Sequence, residues 1–381
     1  MTAACDRPAD TFADRYRHHH DLPGDSPANR LGLDYRAEPG RFAYTGPIID
    51  VHTHIGTADA AEVYRQATGA YGIVKTWSMT NLEQCDEVRA VLGDAIEFIA
   101  VPDYANRDKP GCFTTDWVKR IERFRGRGCR MVKFWAAPRG RDMGDDALLI
   151  DSPARLEQMR LAHGLGYRRF MTHIADPDTW FATKYADAAH YGTKRDQYAG
   201  LERVLDEFGD VTWIAAHMAG SPEDLDFLRG LLDRHDNLVL DCSATKWMVR
   251  ELSRHPDRFR GFVEANPTRV LFGTDIVANT DNVRPPSPED AARLEEERKA
   301  GRPGLGAGHG FDLYASRFWA LRTLLETGYD GPSPIADPDL PMIDPSIPEG
   351  STPHLRGAAL PTDLLPALYH DNAARVLGQA P

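Results

Sequence analysis

Two histidines one residue apart, His52 and His54, close the run Ile48 to His54 and are the first residues that invite a chemical reading. Along an extended strand, side chains two apart face the same way. His52 and His54 therefore share one face while Val51 and Thr53 take the other, and two imidazoles at the end of a strand can hold a divalent cation. A hydrogen-bonded core histidine pair would look the same in the sequence, so the weight comes from elsewhere. The run Arg169 to Ile174 carries His173 near its end, Val211 to His217 ends in His217, and Arg269 to Asp275 ends in Asp275. An ionisable group at the tip of an apolar strand is costly to desolvate unless it faces a shared polar site.

Imidazole nitrogens with one carboxylate oxygen suit Zn²⁺, and also Mn²⁺ or Fe²⁺; no thiolate softens the set. A cation held with an open position lowers the pKa of water from about 15.7 toward about 7. A neighbouring carboxylate can then take the proton of that water, and a histidine outside the metal shell can polarise substrate or shuttle the proton.

Residues that act together must be brought together by the fold. Eight short apolar runs follow one another: Ile48 to His54, Gly72 to Met79, Ala95 to Val101, Cys129 to Trp135, Arg169 to Ile174, Val211 to His217, Asn237 to Ser243 and Arg269 to Asp275. Between them lie stretches with helical spacing, at 58–68, 82–92, 115–127, 153–163, 198–208, 222–234 and 247–264. Strand and helix repeated in this way predict an α/β fold, a (β/α)8 TIM barrel, with an open doubly wound sheet as the competitor. The repeat count favours the barrel. Residues 1–46 read as an N-terminal extension and 47–378 as the barrel domain. Within the barrel, 279–310 reads as an insertion, with a charged helix-like patch from Glu289 to Lys299, and 329–361 as a proline-rich connector to a last helix at 362–377.

Composition narrows the function classes. The chain has 381 residues, 42% hydrophobic and 27% charged, enough apolar material for a large core. A formal charge of −12 without a basic stripe speaks against nucleic acid as a partner. The first twenty residues hold no apolar signal-like stretch, and no apolar run approaches the roughly 18 residues of a membrane span. A cytoplasmic protein is expected, with no membrane partner. Five scattered cysteines without a CxxC pair read as reduced structural thiols.

The segments IIDVHTHIG, MTHIADP, WIAAHMAG, LFGTD and YHDNAARVLG together resemble the amidohydrolase superfamily. The branch they look most like is the amidohydrolase-related one that includes aminocarboxymuconate-semialdehyde decarboxylase, over roughly Pro47 to Gly378. That resemblance implies a metal held by His52, His54, His173 and Asp275, with His217 as a catalytic histidine beside it and Asp275 also acting as base. Two-metal members carry a carboxylated lysine at the end of the fourth strand, where this chain has Lys133. Lys133 is then either a carbamylated bridge between two ions or an amine that meets substrate. One ion per chain is the expectation, two the alternative. The resemblance also implies a homodimer.

Trp77, Trp135, Trp180 and Trp247 fall at or just after strand ends and could wall an aromatic pocket, although packing is the commoner role of such residues. Arg139 and Arg141 could clamp an anionic substrate. Lys184, Lys194 and Lys246 carry no stronger reading. Three features are set aside: His18-His19-His20 in the extension, the glycine-rich Gly304 to Gly308, which lacks a preceding strand and a phosphate-binding lysine, and Ser243, read as a cap for the helix at Trp247. The reading that follows is a metal-dependent hydrolase of a small polar substrate, an amide, lactone or ester. A non-oxidative decarboxylase of a cyclic or conjugated acid is the alternative, and a binding protein without turnover the third.

Overall fold

A computed structural model describes residues 16–143, 148–284, 292 and 309–378. The sheet starts with β1 (Ile48–Ile55), and β2 (Ile73–Ser78), β3 (Ile96–Ala100), β4 (Met131–Trp135), β5 (Arg169–His173), β6 (Thr212–Ala215) and β7 (Leu238–Asp241) each pair in parallel with the strand before. β8 (Val270–Leu271) pairs with β7, and β9 (Ile276–Ala278) with β1. These last two are pieces of one path, so the sheet closes on itself as a (β/α)8 barrel. Across the break, Val51 N–H donates to the Phe272 carbonyl at 3.0 Å and Asp275 N–H to the His52 carbonyl at 2.8 Å. The break centres on Asp275, whose φ of 60° is left-handed, a conformation that Asp tolerates better than most residues.

Helices alternate with the strands: α1 (Ala58–Tyr71), α2 (Cys85–Leu92), α3 (Thr115–Gly126), α4 (Pro153–Gly164), α5 (Lys194–Glu207), α6 (Leu225–Arg234), α7 (Thr245–Leu252), α8 (Pro256–Ala265) and α9 (His309–Glu326). Ser152 caps α4 as its Ser-Pro sequence suggests, its hydroxyl accepting from Arg155 N–H. Elsewhere local chemistry moves the expected bounds. α5 starts at Lys194 rather than 198, because Thr193 and Asp196 form a capping box. α6 starts at Leu225 rather than 222, because Asp224 takes Phe227 N–H. The stretch 247–264 is two helices, parted where Pro256 opens the second.

α9 is the barrel's eighth helix and packs against α1 and α7. Its spacing gives no clear sequence signal, because it is buried on nearly every side and no polar face interrupts the apolar one. The C-terminal segment is a π-turn at Ala367–Asp371 followed by a short helix, Asn372–Leu377. Asn372 ties it to the barrel, its amide donating to the carbonyls of Pro267 at 2.8 Å and Val270 at 3.0 Å.

From Tyr16 on, the N-terminal extension is ordered against the connector. His18–His19 pairs antiparallel with Thr352–Arg356, which pairs in turn with Asp330–Pro332. The patch Glu289 to Lys299, apart from residue 292, and Gly304 to Gly308 lie outside the described residues. Cys85, Cys129 and Cys242 are free thiols, and these three and Cys112 are buried. Among the described residues, no helix is long and apolar enough to cross a membrane.

After β6 the backbone makes a left-handed turn through His217, Met218, Ala219 and Gly220, with φ of 59°, 52°, 52° and 70°. Each non-glycine residue in this conformation costs roughly 1–2 kcal/mol, so packing must hold it. A Cβ on Gly220 would lie 1.9 Å from the Ala175 carbonyl oxygen, a backbone atom that cannot yield. Gly220→Ala is therefore expected to lower unfolding free energy by about 3 kcal/mol in a denaturant titration. A loss below about 0.5 kcal/mol would show that the turn is not held as described.

Candidate metal centre

The ends of five strands and the break in a sixth converge at one mouth of the barrel. β1 brings His52 and His54, and the left-handed Asp275 turns its carboxylate toward them. Asp275 Oδ1 lies 3.4 Å from His52 Nε2 and 3.2 Å from His54 Nε2. Ligands on a tetrahedral zinc stand roughly 3.3 Å apart, as follows from metal–ligand distances near 2.0–2.1 Å, so this trio fits a single cation. The three donor atoms lie within 4.8 Å of one another.

Behind them is Asp241, at the end of β7 and fully buried. Its Oδ2 is 2.8 Å from His52 Nδ1, and its Oδ1 accepts from the N–H groups of His217 at 2.8 Å and Ser243 at 3.0 Å, and from the Ser243 hydroxyl. Burial alone would raise the Asp241 pKa, but the His52 charge and hydrogen bond, with His217 and Ser243, take it well below the usual carboxylate range. A histidine whose second nitrogen donates to a carboxylate is oriented for ligation through the first. Asp241 thus leaves His52 Nε2 facing Asp275 and His54. The sequence reading passed over Asp241, although the signal was of the kind that singled out Asp275: one carboxylate at the end of the apolar run Leu238-Val239-Leu240.

Ser243 is also placed differently from the expectation. α7 has Ala244 at its N-cap with no side-chain bond, and the Ser243 hydroxyl lies 2.7 Å from His217 Nδ1 and 3.0 Å from His52 Nδ1. With its own proton given to Asp241, the hydroxyl accepts from His217 Nδ1–H. That assigns the His217 tautomer, leaving Nε2 with a lone pair. Burial, the His173 charge and the His52 charge hold His217 well below the usual imidazole pKa, so it is neutral.

His173 stands beside this group, edge to face with His217 at 4.6 Å between ring centroids. Its Nε2, however, is 2.8 Å from Asp176 Oδ1, and Asp176 is fixed in turn by the Tyr185 hydroxyl at 2.6 Å. The fourth expected ligand is therefore engaged by a neighbouring carboxylate and does not join the trio. Lys133 Nζ lies 3.1 Å from His52 Nε2, and burial lowers its pKa to about 8 against the pull of Asp275 and Asp241.

A cavity of about 380 Å³ opens in front of the centre, bordered by His54, Lys133, Asp275, Trp135, Trp180 and Trp247 among others. Arg139 borders it too, its guanidinium 5.5 Å from the Trp135 ring centroid. Trp77 does not. It is fully buried, belongs to the apolar core and has no face toward the cavity, so a substrate role for it is corrected to packing. Lys194 is bound to Asp178 and Glu223 away from the cavity.

A barrel with donors drawn from separate strand ends defines a class of metal-dependent enzymes, and the comparison with known families agrees. The family model described as Amidohydrolase matches residues 49–379, and the chain belongs to that family. No curated protein matches it. Among solved structures it is similar to the 5-carboxyvanillate decarboxylase LigW from Sphingomonas paucimobilis, at 12% identity, with 88% of this chain and 100% of that chain covered and a TM-score of 0.45. Similarity at that level supports no transfer of activity.

Asp241→Asn keeps the shape of the buried side chain and removes its charge. Zinc affinity, read by competition with a chromogenic chelator, is expected to fall about 10- to 100-fold. An unchanged affinity would separate Asp241 from the metal centre.

Proposed function

We propose that the protein is a metal-dependent hydrolase of a small polar substrate, an amide, lactone or other ester, with one Zn²⁺, or Mn²⁺ or Fe²⁺, held by His52, His54 and Asp275. The observation that carries this reading is the trio of donor atoms, all within 4.8 Å of one another and with Asp275 3.4 and 3.2 Å from the two imidazoles, with His54 and Asp275 open to the cavity. When bound, the cation supplies Lewis acidity toward the scissile carbonyl and acidifies an attacking water.

The chain's own groups supply the rest. Asp275, kept well below the usual carboxylate pKa by the imidazoles of His52 and His54 against the effect of its burial, takes the proton of the attacking water. His217, expected from the sequence to steady an oxyanion, has a lone pair rather than a proton at Nε2 and so can accept one there, while the proton that Asp275 takes from the water is the one returned to the leaving group. Trp135, Trp180 and Trp247 restrict water at the reacting bond and present flat walls to a ring.

A specific observation favours decarboxylation as the second reading. Lys133 and Arg139 both border the cavity and could hold a carboxylate there. Product analysis separates the two: lactones and amides are offered alongside aromatic carboxylic acids, with CO₂ release followed. Turnover of acids with CO₂ release and no hydrolysis of any lactone or amide would replace the hydrolase reading.

Purified protein is expected to contain close to one ion per chain and to lose activity on chelation. Two ions per chain, together with a carbamate carbon signal in ¹³C spectra, would move Lys133 into a bridging role. His217→Ala is expected to keep its ion and lose about 10²- to 10⁴-fold in kcat; loss of the ion in this variant would make His217 a ligand.

A further inference from the structure

A second cavity, about 630 Å³, meets the first at Asp275 and shares Trp180, Trp247 and Val277 with it. The hydrolytic scheme makes no use of this space. Three cationic side chains border it: Lys184, Lys246 and Arg317. Lys184 Nζ already has a partner, the face of Trp180, 3.7 Å from the ring centroid.

Lys246 and Arg317, both partly exposed at the cavity, differ from the buried cations that carboxylates hold. Arg120 is bound to Glu83, Arg322 to Glu326, and Arg250 to Glu251, Asp337 and Asp339. Among the described residues, Lys246 has no hydrogen bond or ion pair. Among the described residues Arg317 donates only from Nη1, to the Leu313 carbonyl at 3.0 Å and the Ser316 hydroxyl at 2.9 Å. The acids on the same wall are occupied. Asp339 Oδ2 accepts from the indole N–H groups of Trp180 at 2.9 Å and Trp247 at 3.0 Å, and Asp337 Oδ2 accepts from Arg250 at 2.5 Å.

Burial pushes Arg317 down to about 10 and lowers Lys246, on which the Arg317 charge presses further while Asp337 and Asp339 pull the other way. Lys246 also sits in the first turn of α7, where the helix dipole disfavours a cation. Two like charges at one cavity, neither with a carboxylate in contact, repel each other. A ligand anion between them would reverse the sign of that interaction.

We propose that this second cavity is a recognition subsite for a compact oxyanion, a carboxylate or a phosphate, carried by the substrate at the end away from the reacting bond, and that Lys246 and Arg317 hold it. The placement of the reacting end rests on the hydrolase reading above. The chemistry selects a substrate with a polar reacting group and an anionic arm, the two joined by a span that passes Asp275 between the tryptophans.

Anion binding tests this without turnover, so its failure is distinct from failure of the hydrolase reading. Succinate and, separately, inorganic phosphate are titrated into the purified metal-loaded protein by calorimetry. At least one is expected to bind, about tenfold or more weakly in Lys246→Met and in Arg317→Met, with affinity largely kept in Lys246→Arg and Arg317→Lys. Lys133→Met, altered at the metal centre, is expected to leave the affinity unchanged. Succinate binding without phosphate binding identifies the arm as a carboxylate, and the converse identifies it as a phosphate. No binding of either anion, equal affinity in all variants, or loss confined to Lys133→Met would overturn the proposal. Thermal unfolding of each variant shows whether a lost affinity reflects a lost fold.

Discussion

Asp241 is a carboxylate without solvent, and it accepts from a backbone amide at either side, from a serine hydroxyl and from an imidazole. Removing such a charge from water costs several kcal/mol after relaxation, and only a full set of donors offsets it. The groups that supply those donors are the ones with chemistry at the barrel mouth. Asp241 sets which nitrogen of His52 faces outward, anchors the amide of His217, and through Ser243 fixes the His217 tautomer. The charge, the orientation and the protonation state of the centre all trace to one buried side chain.

Backbone strain is concentrated beside that network. The left-handed turn from His217 to Gly220 and the left-handed Asp275 are stretches where an L-residue pays a conformational penalty, and both carry residues of the centre. Gly273 makes the second possible: a Cβ there would come within 3.1 Å of the His52 Cβ and 3.3 Å of the Ser243 Cβ. Breaking the eighth strand at this point gives Asp275 a position that a regular strand would not, against His52 and His54 rather than along the barrel wall. Ladder hydrogen bonds to β1 on both sides keep the break from opening.

Beyond the centre, charge and aromatic rings are layered. Arg250 gathers Glu251, Asp337 and Asp339 into a buried cluster, and Asp339 in turn orients Trp180 and Trp247, which form the wall between the two cavities. The connector that carries Asp337 and Asp339 is paired with the N-terminal strand at His18–His19. Segments far from the metal centre in sequence therefore help to shape the space in front of it.

Much of this architecture is legible in the residues alone. The eight strands announce themselves because each is a short apolar run bounded by turn residues, and their order implies a barrel because eight repeats close a parallel sheet. The donor types are legible for a related reason: His52, His54, Lys133, His173, His217 and Asp275 are ionisable groups where an apolar strand should end. α9 is not legible, since a helix buried on nearly every side has no polar face to mark its period. Asp241 follows the same rule as Asp275 but has no partner nearby in sequence to draw attention to it, and His52, which it orients, is 189 positions away. By itself, then, the sequence determined which donors exist and that a barrel would collect them, because residue type and strand period are local properties. Only the tertiary structure decided that His173 turns to Asp176, that Trp77 packs in the core, and that Lys246 and Arg317 share a cavity. Which atom of a side chain meets which partner depends on how distant strands and loops are juxtaposed, and no local pattern encodes that.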